Sequence, residues 1–301
     1  MTAREPIAFP ALLALERVDE KTFTGMPGPG IGPRMFGGHA LAQALMAAGL
    51  SLPEDRHPHS LHVNFLAPGG ADAATLYRVA TLREGRSFST LRIDALQGER
   101  TVLTMTVSAQ VAEEGFAHAA QMPQVADLAA ARRALEDWQR AQADFETLPI
   151  IGRLTARPVD VVPIDVAATF GDTPRPPRSA CWMRVRKPEG MTIAMQRSAM
   201  AYASDMLFLR NALLPHGVRP GEPGIQIASL DHAMWFHEEP DFGRWHLYAG
   251  ESPWAGHARG LSRGHFFAAD GALVASVAQE NLMRVTDGRL ARAGGVVFEN
   301  P

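Results

Sequence analysis

Apolar and polar residues alternate along most of the chain, and two long segments of a different kind interrupt the alternation. Alternation with period two marks half-buried strands, whereas an Ala- and Leu-rich run bounded by turn residues marks a helix. The first such run, Gly38–Leu50, is opened by Phe36, Gly37 and Gly38 and predicts a helix. The second, Thr192–Leu214, predicts a longer helix stopped by Pro215 and Gly217. After the first helix, strands are expected at Ser60–Leu66, Thr75–Leu82, Ser87–Leu96 and Thr101–Val111. After the second, they are expected at Gln226–Phe236, Arg244–Ala249, Ala258–Phe267 and Leu273–Met283. Pro68, Gly69, Gly70, Gly98, Asp270 and Gly271 supply the turns between them. One more strand precedes each helix, at Val18–Phe23 and Ala180–Val185.

The order strand, helix, four strands thus occurs twice. Ser60-Leu61 opens one strand set and Ala109-Gln110 closes it; Ser229-Leu230 and Ala278-Gln279 do the same at identical spacing. The shared order suggests an internal duplication. One helix on a highly curved antiparallel sheet is an α+β layout. A single helix cannot cover both faces of its sheet, so the two copies are expected to pack together as a pseudo-dimer within one chain. The expected boundaries are residues 1–115 for the first repeat and 156–301 for the second. Residues 116–155 form a linker that packs on the outside and carries a helical stretch at Asp127–Thr147.

With 301 residues, of which 46% are hydrophobic and 20% charged, the chain has ample apolar surface for a core, which excludes disorder. A net charge of -3 gives no electrostatic footprint for nucleic acid or an anionic membrane. The single cysteine, Cys181, excludes an intrachain disulfide and a cysteine-based zinc site. Beside Trp182 it reads as a small buried residue. The first residues lack a basic segment followed by an apolar run, and the longest near-apolar stretch, Ala40–Leu52, is too short to cross a bilayer. A cytoplasmic protein without a membrane span is expected.

Familiar catalytic motifs are missing. Gly250-Glu251-Ser252-Pro253-Trp254 fails as a nucleophile elbow, and the glycines of Gly28–Gly32 lack dinucleotide-fingerprint spacing. The eleven histidines, His57, His59, His62, His232 and His237 among them, show no metal-ligand spacing. Asp231 and His232 are neighbours in a strand, so they point to opposite faces and are not expected to share a site.

Asp205 is the one acid of the second predicted helix. Its helical neighbours Ala201, Tyr202, Phe208 and Leu209 are largely apolar, which sets the carboxylate in the stripe that faces the sheet. A carboxylate there costs several kcal/mol unless it is hydrogen-bonded or given a function. Gln279 shares a strand face with Leu273, Ala275 and Val277, and Ser229 opens onto the same space. A carboxylate, a hydroxyl and an amide converging there could hold a water or form a structural polar cluster. The residues alone leave both readings open.

At these positions the sequence resembles the acyl-CoA thioesterase II family, whose members have a double hotdog fold. The matching segments are MFGGHALAQAL (35–45), HSLHVNFLAPG (59–69), LREGRSFSTLR (82–92), AYASDMLFLRNALLPHG (201–217), EPGIQIASLDHAMWFH (222–237) and ARGLSRGHFFAADGALVASVAQENLMR (258–284). They span nearly the whole chain; the linker matches loosely. The resemblance implies a water held by Asp205, Ser229 and Gln279 that hydrolyses a fatty acyl-CoA thioester without a covalent intermediate. Many members have Thr where this chain has Ser229, and often Gln where it has His39. It implies no metal or organic cofactor, acyl-CoA as the bound partner and a homo-oligomer. Gly37 and Gly38 are expected to let the substrate approach the first helix, whose N–H groups could stabilise an oxyanion. Arg83, Arg86, Arg259 and Arg263 are candidate phosphate contacts.

Two rivals stand beside this reading. A hotdog enoyl-CoA hydratase would need an Asp/His pair in one site, and no His lies within four residues of Asp205. A non-catalytic acyl-CoA binding protein would keep the pocket without the trio. One site per chain is expected, because Lys21–Pro53 contains no Asp or Glu.

Overall fold

A computed structural model describes residues 7–28, 33–141 and 157–287. Parts of several expectations lie outside the described residues: Pro29–Gly32 of the glycine run, the stretch 142–155 of the linker with the end of its helix, and 288–301 of the second repeat. In chain order the first half contains α1 (Phe9–Leu12), β1 (Leu15–Arg17), β2 (Thr22–Gly25), α2 (Gly37–Gly49), β3 (Arg56–Phe65), β4 (Thr75–Glu84), β5 (Phe88–Gln97) and β6 (Arg100–Val111). Then come α3 (Leu128–Ala141), β7 (Val159–Pro163), α4 (Val166–Phe170), β8 (Arg178–Val185), α5 (Ile193–Ser204), α6 (Arg210–Leu213) and a 3-10 turn (Leu214–His216). The chain continues through β9 (Ile225–Ser229), β10 (Asp231–Phe236), β11 (His246–Gly256), β12 (Arg259–Ala268) and β13 (Leu273–Val285).

The strands form one sheet in the order β1-β2-β4-β5-β6-β3-β10-β13-β12-β11-β8-β7, with β9 also paired to β13. Six strands of each half meet at the antiparallel β3–β10 pair, where Ser60 faces Trp235 and Asn64 faces Asp231. Inside the curve lie α2 and α5. Every residue of α2 from Gly38 to Ala48 is buried, and so is α5 from Arg197 to Ser204. The helices run antiparallel: Gly49 faces Ala194 at one end and Gly38 abuts the Tyr202 carbonyl at the other. This is the double hotdog architecture, α+β, with one continuous core around the helix pair. On the outer face of the second half, Ala131 of α3 joins Val162, Trp182, Leu247 and Phe267 in a smaller apolar cluster.

The halves repeat down to their irregularities. β3 has a register shift after Pro58, and the other half breaks at the matching place, between β9 and β10 at Leu230. Pro58 pairs with Ala109 of β6, as Ser229 pairs with Asn281 of β13. A bulge follows Ala95 beside Leu103, and another follows Phe266 beside Ala275. The buried Tyr77 and Tyr248 both donate to the helix layer, to Gln43 Oε1 and to the Ser204 carbonyl.

Three expectations need correction. Gln226–Phe236 is two strands, because Leu230 leaves the ladder. Val18–Phe23 spans a turn, with the hairpin strands β1 and β2 on either side of it. The spacing match of Ser60 and Gln110 with Ser229 and Gln279 is coincidental: the paired irregularities make Pro58 the counterpart of Ser229, and Val107 that of Gln279. Alternating strand sequences produce such matches easily, and only the ladder fixes the register.

Candidate active site

The site begins where α5 ends. Its first turn is capped by its own Thr192, whose hydroxyl accepts from Met195 N–H. Its last residue is Ser204, ten residues short of the expected end, so Asp205 is a cap and not a member of a mid-helix stripe. Two residues later Leu207 has φ +64°, in the left-handed region that costs a non-glycine residue energy. The chain turns sharply there and re-enters helix at α6.

At that cap the Asp205 carboxylate crosses to the other half. Its Oδ2 accepts from Gly38 N–H at 2.8 Å, at the start of α2, which has no side-chain cap of its own. A carboxylate is favourable at that helix N-terminus because the unpaired N–H groups carry partial positive charge. Glycine at 37 permits the approach: a Cβ there would lie 2.9 Å from Oδ2 and 3.3 Å from the Phe65 ring. A Cβ on Gly38 would meet the Tyr202 carbonyl at 2.5 Å.

The other two expected residues arrive from the sheet. Ser229 ends β9, and its Oγ stands 3.5 Å from Asp205 Oδ1, a long contact. Gln279 lies on the inward face of β13 and donates from Nε2 to Ser229 Oγ at 3.0 Å and to Asn281 Oδ1 at 2.7 Å. Gln279 and Asn281 are fully buried, while Asp205 and Ser229 keep partial exposure. The structure therefore brings the three residues together.

It also brings in a residue the sequence reading set aside. Asp231 and His232 do take opposite faces: Asp231 is exposed and accepts from Glu280 N–H at 2.7 Å. His232 is buried, with Nδ1 2.5 Å from Gln279 Oε1 and Nε2 2.9 Å from Ser204 Oγ. Sequence distance from Asp205 was the wrong criterion. The available signal was strand parity, since His232 alternates with the inward Met234 and Phe236, beside inward Gln279 on the neighbouring strand.

Burial governs the charges. It raises the Asp205 carboxyl above the usual carboxylate range; His232, Arg157 and the hydrogen bonds from Gln279 and Gly38 pull the other way. Burial lowers the His232 imidazole below its ordinary value, against Asp205 and Gln279. Arg157 sits 3.4 Å over the Phe36 ring and near Tyr202, whose phenol is pushed up to about 12. Cys181 is likewise pushed up to about 12 by burial, an inert thiol.

The remaining expectations fall elsewhere. His39 is buried, with its Nε2 3.1 Å from the Met26 carbonyl. Gly38 N–H is engaged by Asp205 and so is not a free oxyanion donor in this state. Arg259 and Arg263 are paired with Glu280 and Glu251, whereas Arg83 and Arg86 are exposed. Among the described residues no group of three or more His, Cys, Asp or Glu could hold a metal ion, and no helix is long and apolar enough to cross a membrane.

Comparison with known proteins gives a consistent picture. Residues 154–282 match a family described as acyl-CoA thioesterase, and residues 26–110 match an acyl-CoA thioesterase N-terminal domain. The chain is 38% identical to acyl-CoA thioesterase 2 of Haemophilus influenzae over 280 residues, 92% of this chain and 96% of that protein. It is 34% identical to human acyl-coenzyme A thioesterase 8, over 91% of this chain and 88% of that one. Among solved structures, an acyl-CoA thioesterase II from Mycobacterium marinum superposes with a TM-score of 0.76 at 31% identity, covering 93% of this chain and 100% of its own.

Proposed function

The chain belongs to the acyl-CoA thioesterase family and hydrolyses acyl-CoA thioesters, and from that premise we propose that Asp205, Ser229 and Gln279 hold the attacking water. The observation that carries this reading is the convergence of a half-buried carboxylate, a hydroxyl and an amide at the N-terminus of α2. Asp205, with its pKa raised by burial, is a better proton acceptor than a solvated carboxylate. It takes a proton from the water as the water oxygen attacks the thioester carbon. Ser229 and Gln279 fix the water and orient it. The C–S bond then breaks, and the proton passes from Asp205 to the departing coenzyme A sulfur. The positive end of α2, opened by Gly37, lies beside the carbonyl oxygen as its charge grows. The products are a free fatty acid and coenzyme A.

The second half thus supplies the reacting groups, and the first half supplies the helix terminus and the scaffold. In this reading the chain works in the cytoplasm as a homo-oligomer; the exposed Trp235 and Leu261 on the outer sheet face support an assembly. The proximity of His232 to Asp205 revives the hydratase alternative, but both ring nitrogens face protein partners, which leaves none for a substrate. A thiol-release assay with acyl-CoA substrates from C2 to C18, without added metal, tests the reading. Release from medium- or long-chain acyl-CoA is expected. A folded protein that binds these substrates without releasing thiol would overturn it, and hydration of an enoyl-CoA instead would favour the alternative.

A further inference from the structure

We propose that His232 is a positioning residue for the hydrolysis: with its proton on Nδ1, it holds the Gln279 amide in the one orientation that turns the NH2 toward Ser229. The proposal rests on the role given to Gln279 above.

An amide has two chemically opposite ends, since its oxygen only accepts and its nitrogen only donates. Gln279 Oε1 lies 2.5 Å from His232 Nδ1, while Nε2 faces Ser229 Oγ and Asn281 Oδ1. Neither of the last two neighbours can select this orientation. A hydroxyl both donates and accepts. Asn281 could present its own nitrogen to a reversed Gln279, and its Nδ2 is buried with no hydrogen-bond partner among the described residues. The imidazole is the neighbour whose proton breaks the tie.

That imidazole is buried, so one of its two nitrogens carries a proton and the other accepts. Ser204 can serve either case. Its hydroxyl donates to the Ala201 carbonyl at 2.7 Å and lies 2.9 Å from His232 Nε2, so that turning from the carbonyl brings the same proton to Nε2. When it donates to Nε2, the imidazole proton sits on Nδ1 and Gln279 turns its NH2 to Ser229. The Ser229 O–H is then left for Asp205 or the water. When Ser204 donates to Ala201 instead, the imidazole proton moves to Nε2 and Gln279 reverses. Its oxygen then takes the Ser229 proton away from the site. The Asp205 charge favours the first arrangement, in which the Ser229 and Gln279 donors point toward it. His232 itself touches neither water nor thioester; it acts through Gln279.

The test uses the full chain and three substitutions. His232→Asn places an amide nitrogen near the Nδ1 position, His232→Gln reaches instead toward the Nε2 position, and His232→Leu supplies neither. A buried hydrogen bond of this kind separates variants by about 10- to 100-fold. His232→Gln and His232→Leu should lose that much kcat with KM changed less than about threefold, while His232→Asn stays within about fivefold of the parent. In a Gln279→Ala background the His232→Leu cost should shrink to less than about twofold, because the residue it acts through is gone. Thermal melting checks the fold, and the Asn and Gln variants, which differ by one methylene, carry the comparison if the Leu variant unfolds. Equal kcat for the Asn and Gln variants, or full additivity with Gln279→Ala, would overturn the proposal alone. Normal turnover in Gln279→Ala would overturn it together with the role of Gln279.

Discussion

The two ends of the helix pair are built on one plan and filled with opposite chemistry. At the active end the cap of α5 is Asp205, and around it stand Ser229, Gln279 and His232. At the other end the cap of α2 is Leu50, and the ladder counterparts of those three residues are Pro58, Val107 and Leu61. Val107 and Leu61 are fully buried among apolar neighbours. The helix starts differ in the same sense. α5 is capped by its own Thr192, whereas α2 leaves its N–H groups to a carboxylate from the other half. The duplicated frame therefore makes two places for a site. In the proposed reading the side chains make one, and it needs both halves, because Asp205 and the α2 terminus it faces come from different halves of the chain.

The largest break in this comparison comes from Asp205→Asn. It should lower kcat by at least about 100-fold with little change in KM, as removal of a general base does. The same variant should melt higher at neutral pH. Burial raises the folded-state pKa of Asp205 above its unfolded value, so ionising it costs stability as pH rises from the ordinary carboxylate value through the raised one. Below the ordinary value, parent and variant should melt alike. Melting curves at both pH values check the sign.

Ser229→Ala should cost about 10-fold or more in kcat, since it leaves the Gln279 amide and the water short of a partner, while Ser229→Thr keeps the hydroxyl and should be tolerated. Equal rates for the two would show that the hydroxyl is unused. Gly38→Ala tests the seam between the halves. Its new Cβ meets backbone at 2.5 Å, so a loss of roughly 1–3 kcal/mol in urea unfolding is expected. The smallest effect belongs to the inert end. Leu50→Asp, and Ser60→Ala combined with Gln110→Ala, should leave kcat within about twofold, because the ladder counterparts of Ser229, Gln279 and His232 at that end are Pro58, Val107 and Leu61. A loss as deep as that of Asp205→Asn would mean two working sites.

Much of this was legible in the sequence, for identifiable reasons. Both helices and most strands follow from period and punctuation, which local chemistry dictates. The apolar company of Asp205 and Gln279 points to a shared space but leaves its role open, and it is the family resemblance that singles out Asp205, Ser229 and Gln279 as a set. What failed was register and reach. The break after Ser204 has no Gly or Pro to announce it; a left-handed Leu207 makes the turn, held by its surroundings. The split at Leu230 and the true counterparts in the first half depend on ladder pairing, which spacing along the chain does not encode. His232 stands 27 residues from Asp205 in sequence, and only the folding of β10 beside the end of α5 brings the two within electrostatic reach.

The most direct measurement is the pH dependence of kcat/KM for the parent and Asp205→Asn. With Asp205 as the base, activity rises with pH through a single acid limb above the usual carboxylate range, since burial holds the proton on, and the limb disappears from the residual activity of the variant. A limb that persists unchanged in Asp205→Asn would contradict the assignment, as would a parent limb at the value of a solvated carboxylate.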